Sequence, residues 1–267
     1  MTEAAPVDPA AEVTRARAGA RSLRRRDLRS RLGYIAELRR VVLRRREEII
    51  DRIQADTGKS RSDALVSEIF GTLDVLAWTE RHALRHLRPQ KVHTPITLLG
   101  KRSETWFEPL GTVLIIAPWN YPFFQALAPI ALAIACGNTV VFKPSEWTPL
   151  TGLIEDLHAE AQFAPNWVRV VYGDGAVGAA LIDAGPDRVM FTGSTKTGRA
   201  VLERADARLI PGERTLGGQD ATNVRHDRRR AASSSPSARS HASRNCRRIS
   251  VASGMSFSPG ARSRHDS

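Results

Sequence analysis

The clearest hydrophobic pattern in the chain lies in residues 113–142. A run of β-branched and apolar residues at 113–117 predicts a strand that is buried on both faces. Residues 123–137 form an almost entirely apolar segment of helical length, and residues 138–142 repeat the apolar strand pattern. Strand, helix and strand within this distance are typical of the crossover unit of a parallel sheet.

The same alternation continues through residues 108–220. Short apolar strands are predicted at 167–171, 188–191 and from 209 onward, and helices at 149–161, 179–184 and 199–207. We therefore predict an α/β fold with a doubly wound, Rossmann-like parallel sheet. Ligands of such sheets bind beyond the carboxyl ends of the strands, where Asn120, Lys143 and Glu146 are placed.

The first part of the chain has a helical period instead. Residues 1–14 are rich in Ala and Pro and are predicted to be disordered. Apolar residues recur at steps of three and four through 15–57, which predicts one helix ended by Gly58, and again through 61–87. Residues 101–108 alternate as a strand does, so residues 15–107 form a unit of helices followed by one strand.

The charge is distributed unevenly. The formal net charge is +12, but residues 15–46 hold 13 Arg against two acids and residues 221–267 hold 10 Arg against two, so the remainder is net acidic. We interpret the helical arginines as a solvated face, with phosphate binding as the alternative. The tail at 221–267 also holds 12 Ser and a single aromatic residue, Phe257, and its composition predicts disorder. With one aromatic residue the tail lacks side chains on which bases could stack, so nucleic acid is an improbable partner. A basic-tailed module that contacts nucleic-acid phosphates is the alternative function.

The sequence disfavours disulfide-rich, metal-binding, membrane and secreted classes of protein. The two cysteines, Cys136 and Cys246, are too few for a disulfide scaffold, and we predict no metal site. The chain has no apolar run of membrane-spanning length and no signal-peptide pattern, so we expect a soluble, cytoplasmic protein without a membrane partner.

Polar and glycine-rich turns supply the candidate chemistry. Residues 193–198 join a strand to a helix, where exposed amides and the helix dipole favour an anion such as a pyrophosphate. Residues 173–178 form a second glycine-rich turn, and both turns can be explained as simple tight turns. Lys143 and Glu146 are suited either to a surface ion pair or to a ribose, and Asn120 either to a turn or to donation to an oxyanion.

Taken together, these turns resemble a known family. The segments Asn-Tyr-Pro at 120–122, Lys-Pro-Ser-Glu at 143–146, Phe-Thr-Gly-Ser-Thr at 191–195 and Leu-Gly-Gly at 216–218 occur in the order and spacing of the aldehyde dehydrogenase superfamily. The Trp-Asn-Tyr-Pro form is most similar to the class-3-like and fatty-aldehyde branches. The resemblance covers residues 20–220, and it implies that residues 108–220 form a dinucleotide-binding domain.

The resemblance implies NAD(P)-dependent oxidation of an aldehyde to a carboxylic acid, with NAD as the cofactor and NADP as an alternative. Glu146 favours NAD, because the 2′-phosphate of NADP would meet its carboxylate. Full-length relatives are homo-oligomeric, and residues 101–109 resemble their bridging strand. Asn120 corresponds to the amide of the oxyanion site. The implied cofactor-binding residues are Ala117, Pro118, Trp119, Asn120, Lys143, Ser145, Glu146, Gly178, Phe191, Gly193, Ser194, Leu216 and Gly217.

The sequence departs from the family at the catalytic residues. Thr215 occupies the position of the family's general-base Glu, and a hydroxyl cannot accept a proton from water near neutral pH as a carboxylate does. Glu213, roughly 6.5 Å away on the same face of a strand, is a weaker alternative. Cys246 lacks the Gly-Gln-x step that precedes the family's nucleophile. We therefore expect a truncated, catalytically impaired form whose exposed apolar surface lowers its solubility.

The change in composition falls inside a motif, so we hypothesise that the reading frame shifts near residues 212–222. Translation of the gene in its other two frames is expected to reveal a Gly-Gln-x-Cys segment after this point. If neither frame contains such a segment, the frameshift hypothesis is wrong.

Overall fold

The structure is a computed structural model, and it describes residues 8–94 and 103–216. The predictions for residues 1–7, for the tail at 221–267 with Cys246, and for Gly217 lie outside the described residues.

The first segment is a set of separate helices. Asp8 accepts a hydrogen bond from the Ala10 amide and caps α1, and Asp27 caps α2 through the Ser30 amide. The single helix predicted over 15–57 is therefore wrong, and so is the disorder predicted for residues 9–14. Gly58, with φ of 70°, ends the third helix as predicted. The three helices are α1 (Pro9–Arg24), α2 (Leu28–Arg44) and α3 (Arg46–Thr57).

The predicted helix at 61–87 is present but changes its winding. Ser60 caps the short α4 (Arg61–Asp63), which continues as a π-helical segment (Ala64–Phe70) and then as α5 (Gly71–Leu87). A π-helical turn carries an additional residue, so it rotates the side chains that follow it. The next strands, β1 (Gln90–Val92) and β2 (Ser103–Thr105), pair antiparallel, and β2 is shorter than the predicted strand at 101–108.

A five-stranded parallel sheet follows in the described part of the chain, in the order β5-β4-β3-β6-β7. This confirms the doubly wound α/β prediction. Its strands are β3 (Thr112–Ile116), β4 (Thr139–Lys143), β5 (Val168–Val170), β6 (Arg188–Gly193) and β7 (Gly212–Leu216). Its helices are α6 (Pro122–Ala135), α7 (Leu153–Glu160), α8 (Gly175–Asp183) and α9 (Thr195–Asp206).

Alternate residues of β3 face two different layers. Val113 and Ile115 pack into the larger core with α2, α3, α5, α6 and α7, whereas Leu114 packs with α1, α8 and α9. The central strand is therefore buried on both faces, which accounts for its unbroken apolar sequence.

His158 is a polar side chain that is buried beside the larger core. The His158 ring is 4% exposed, packs edge-on against Phe163 at 4.8 Å, and donates from Nδ1 to the Ile154 carbonyl at 2.6 Å. Its Nε2 has no hydrogen-bond partner among the described residues. Burial therefore lowers the pKa of His158 from 6.5 to about 4.

We predict that His158 makes folding stability depend on pH. Below pH 6.5 the unfolded chain binds a proton that the folded state excludes, so stability is lost as the pH falls from 6.5 towards 4. Because of this residue, the free energy of unfolding should fall by about 2 kcal/mol from pH 7.5 to pH 5. Urea unfolding of wild type and His158→Gln at both pH values measures the difference.

The variant His93→Gln, at an exposed position, is the matched control and should keep the wild-type dependence on pH. A His158→Gln variant that loses as much stability as wild type over this interval would contradict the assignment.

Candidate functional site

A cleft of about 1220 Å³ opens at the carboxyl edge of the parallel sheet. The turns after β3, β4 and β6 form its floor, and α8 and α9 form one wall. The parallel register causes this convergence, because Ile116 at the end of β3 lies opposite both Lys143 of β4 and Phe191 of β6.

Most of the residues predicted from the sequence line this cleft. They are Ala117, Pro118, Trp119, Asn120, Lys143, Ser145, Glu146, Gly178, Phe191, Gly193, Ser194 and Thr215. Leu216 ends β7 opposite Gly193, and Gly217 lies beyond the described residues. The structure therefore gathers the predicted positions, while their roles remain predictions.

Lys143 and Glu146 form an ion pair, one of the two alternatives considered for them, but it is not an ordinary surface pair. Lys143 is buried, and its Nζ donates to the Pro144 carbonyl at 3.0 Å and lies 3.5 Å from Glu146 Oε2. Burial lowers the pKa of Lys143, and the Glu146 carboxylate opposes that shift. The Glu146 side chain is 46% exposed, so its oxygens remain accessible from the cleft.

Gly178 lets α8 approach this pair closely. A Cβ at this position would lie 3.4 Å from Cδ of Lys143, so the lysine chain packs directly over the glycine. Gly193 is tighter, since a Cβ there would lie 2.6 Å from Cζ of the Phe191 ring. The absence of a side chain at both positions therefore shapes the cleft.

The helix N-termini near the cleft differ in charge. Asp174 accepts from the Ala176 and Val177 amides and caps α8, and Glu68 accepts from the first amides of α6. The start of α9 is capped instead by the neutral Ser194 hydroxyl, which accepts from the Thr197 amide at 3.2 Å, and its first turn holds no acid. Among these three, α9 is therefore the one suited to an anion.

Two residues considered for proton transfer lie in different settings. Thr215 lines the cleft. Glu213 is buried and lies 3.3 Å from Nη2 of Arg188, so its carboxylate is held by a buried ion pair and is not part of the cleft lining. The structure gives no support to Glu213 as a replacement for the base.

The sequence interpretation missed several cleft residues. On α8 they are Ala179 and Ile182, and on α9 Ala200, Val201 and Arg204, at the steps of three and four that mark one helix face. That spacing, read on the two helices, was the signal that could have found them. Trp147, which is exposed beside Glu146, carried no comparable signal.

Other classes of site find no support in the described residues. No group of three or more His, Cys, Asp or Glu there is suited to a metal ion. Among the helices of residues 8–94 and 103–216, none combines the length and apolarity that a membrane crossing requires. Arginines of α2 and of its junction with α3 are paired with acids; Arg39, for example, donates to Glu80.

Comparisons with known proteins agree with this geometry. A family model described as the aldehyde dehydrogenase family matches residues 1–246, a wider span than the residues 20–220 of the motif resemblance. A 4,4'-diapolycopene aldehyde oxidase of Methylomonas sp is 39% identical over 218 residues, which are 81% of this chain and 41% of that protein. Aldehyde dehydrogenase family 3 member H1 of Arabidopsis thaliana is 33% identical over 180 residues, 67% of this chain and 37% of that protein.

Solved structures give the same result. AldH of Staphylococcus aureus, in a substrate-bound state, superposes with a TM-score of 0.72 at 31% identity, over 78% of this chain and 46% of that one. A P. syringae AldA indole-3-acetaldehyde dehydrogenase mutant in complex with NAD+ and IAA superposes with a TM-score of 0.73 at 31% identity, over 79% and 43%. The chain spans about two fifths of the length of the curated relatives that it matches.

Proposed function

The chain belongs to the aldehyde dehydrogenase family, and on that premise we propose that its cleft binds NAD for the oxidation of an aldehyde to a carboxylic acid. The observation that carries this proposal is the convergence of three separate turns, at 117–120, 143–146 and 191–194, on one cleft at the carboxyl edge of the sheet.

The cleft residues fit a dinucleotide in shape. Gly178 and Ala179 of α8 and Ala200 of α9 are small, and Ile182 and Val201 are apolar, so the slot between the two helices suits a flat, apolar base. In this proposal the adenine lies in that slot. The Glu146 carboxylate then accepts from the hydroxyls of the adjoining ribose, and Lys143 donates to the same ribose.

The charges of the cleft fit the pyrophosphate. It lies at the start of α9, where Gly193 and Ser194 lack the acidic caps found on α6 and α8. Trp119 and Asn120 then line the nicotinamide end. NAD supplies a hydride acceptor when bound, and the Asn120 amide donates a hydrogen bond to the aldehyde oxygen as negative charge develops there.

We further propose that this chain is catalytically impaired. Thr215 lines the cleft where the family resemblance places a glutamate base, and a threonine hydroxyl does not remove a proton from water near neutral pH. The 267 residues contain no Gly-Gln-x-Cys segment to supply the thiol nucleophile. Binding of the dinucleotide and turnover of the aldehyde are therefore separate properties here.

We predict that Ser194→Asp weakens NAD binding without destabilising the fold. Aspartate caps a helix about as well as serine, so the free energy of unfolding should stay within about 0.5 kcal/mol of wild type. Its charge faces the proposed pyrophosphate position, so the Kd for NAD should rise at least tenfold in isothermal titration.

Wild type should also bind NAD more tightly than NADP, because Glu146 repels a 2′-phosphate.

The matched control is Ser60→Asp, which adds the same charge at a serine cap that does not line the cleft. It should bind NAD as wild type does. Equal affinity of wild type and Ser194→Asp for NAD would contradict the placement of the pyrophosphate, and no binding by wild type would contradict the cofactor assignment itself.

We predict no aldehyde-dependent formation of NADH by the 267-residue chain, measured as absorbance at saturating NAD with short aliphatic and aromatic aldehydes. Thr215→Glu, which restores only the base, should also be inactive because a thiol nucleophile is still missing. Turnover by wild type that disappears in Cys246→Ser would show that Cys246 acts as the nucleophile and would overturn this part of the proposal.

A further inference from the structure

Glu68 is a buried carboxylate that neither the motifs nor the proposed chemistry uses. It lies in the π-helical segment Ala64–Phe70, and its side chain is 0% exposed. Burying a carboxylate is costly unless its oxygens are paired with donors. Its position therefore depends on the groups that it contacts.

Those groups belong to the start of α6 and to the loop after α3. Oε2 of Glu68 accepts from the backbone amides of Phe123 and Phe124, each at 3.0 Å. Oε1 accepts from Nζ of Lys59 at 2.6 Å. The carboxylate thus satisfies the first-turn amides of α6 and complements the helix dipole, while Lys59 balances its charge.

The same lysine reaches the turn that precedes α6. Nζ of Lys59 lies 4.1 Å from the ring centroid of Tyr121, a cation–π contact. Glu68 therefore connects to three of the four residues that follow Asn120. It reaches Tyr121 through Lys59, and Phe123 and Phe124 through its own Oε2.

The turn itself has little burial to hold it. Trp119 is 61% exposed, Asn120 is exposed and Tyr121 is 39% exposed, although Ala117 before them and Phe123 after them are buried. On the amino side, the Thr148 hydroxyl donates to the Trp119 carbonyl at 3.0 Å. Two side-chain anchors therefore flank Asn120 along the chain, Thr148 before it and Glu68 after it.

We propose that Glu68 is a positioning residue that holds Asn120 and Trp119 at the nicotinamide end of the cleft. This role rests on the proposed function of the cleft, and it acts through α6 without contact to the ligand. A purely structural role would lower the stability of the chain and leave ligand selectivity unchanged, so the two roles differ in a measurable way.

The first measurement is hydrogen exchange in the ligand-free chain. Glu68→Gln keeps a single, neutral side-chain oxygen. If that oxygen faces Lys59, the Phe123 and Phe124 amides both lose their acceptor, and if it faces α6 they keep an acceptor that is weaker than the carboxylate while Lys59 loses its partner. Exchange at Phe123 and Phe124 should become at least tenfold faster than in wild type. The control is Glu80→Gln, which removes the carboxylate of a partly buried ion pair with Arg39, away from the cleft, and should leave these amides unchanged.

The second measurement compares two nucleotides by titration. ADP fills only the proposed adenosine and pyrophosphate positions, whereas NAD also reaches residues 119–120. Glu68→Gln should raise the Kd for NAD at least fivefold and change that for ADP less than twofold, and Glu80→Gln should change neither. Thr148→Val, which removes the other anchor, should have the same selective effect and provides a second variant if Glu68→Gln does not fold.

Lower stability of Glu68→Gln with unchanged exchange at Phe123 and Phe124 and an unchanged ratio of NAD to ADP affinity would overturn the proposal. If wild type binds neither nucleotide, the proposed function fails, and the exchange rates alone then decide whether Glu68 anchors the turn.

Discussion

The pairing of β3 with both β4 and β6 is the constraint on which the site depends. Because all three strands run parallel, Ile116, Lys143 and Phe191 end side by side, and the turns that follow them meet at one edge. The apolar residues of β3 are buried against a different layer on each face, so a shift of one residue in its register would exchange the two cores. The core thus fixes where the polar turns lie.

Helix capping then divides this edge by charge. Glu68 and Asp174 occupy the amides at the starts of α6 and α8, so the donors that an anion would need there are already paired. Ser194 caps α9 without adding charge, and Gly193 before it adds no side chain. The same capping principle therefore closes two helix starts to an anion and leaves the third open.

Local patterns predicted the layered fold and most of the cleft, because strand and helix periods and turn residues are short-range signals. The break between α1 and α2 was missed, since Arg25 and Arg26 do not interrupt a helical period and only the Asp27 cap marks it. The roles of Glu68 and Glu213 could not be predicted: Glu68 meets Phe123 from 55 positions away, and Glu213 meets Arg188 across neighbouring strands. Such contacts follow from tertiary packing, which the local pattern does not contain.

A crystal structure of the chain with NAD tests the central claim most directly. The account predicts that the adenine lies between α8 and α9, that the ribose hydroxyls lie within hydrogen-bond distance of Glu146, and that the pyrophosphate lies at the Ser194 end of α9. NAD bound at another face of the molecule, or with its pyrophosphate at the start of α6 or α8, would contradict it.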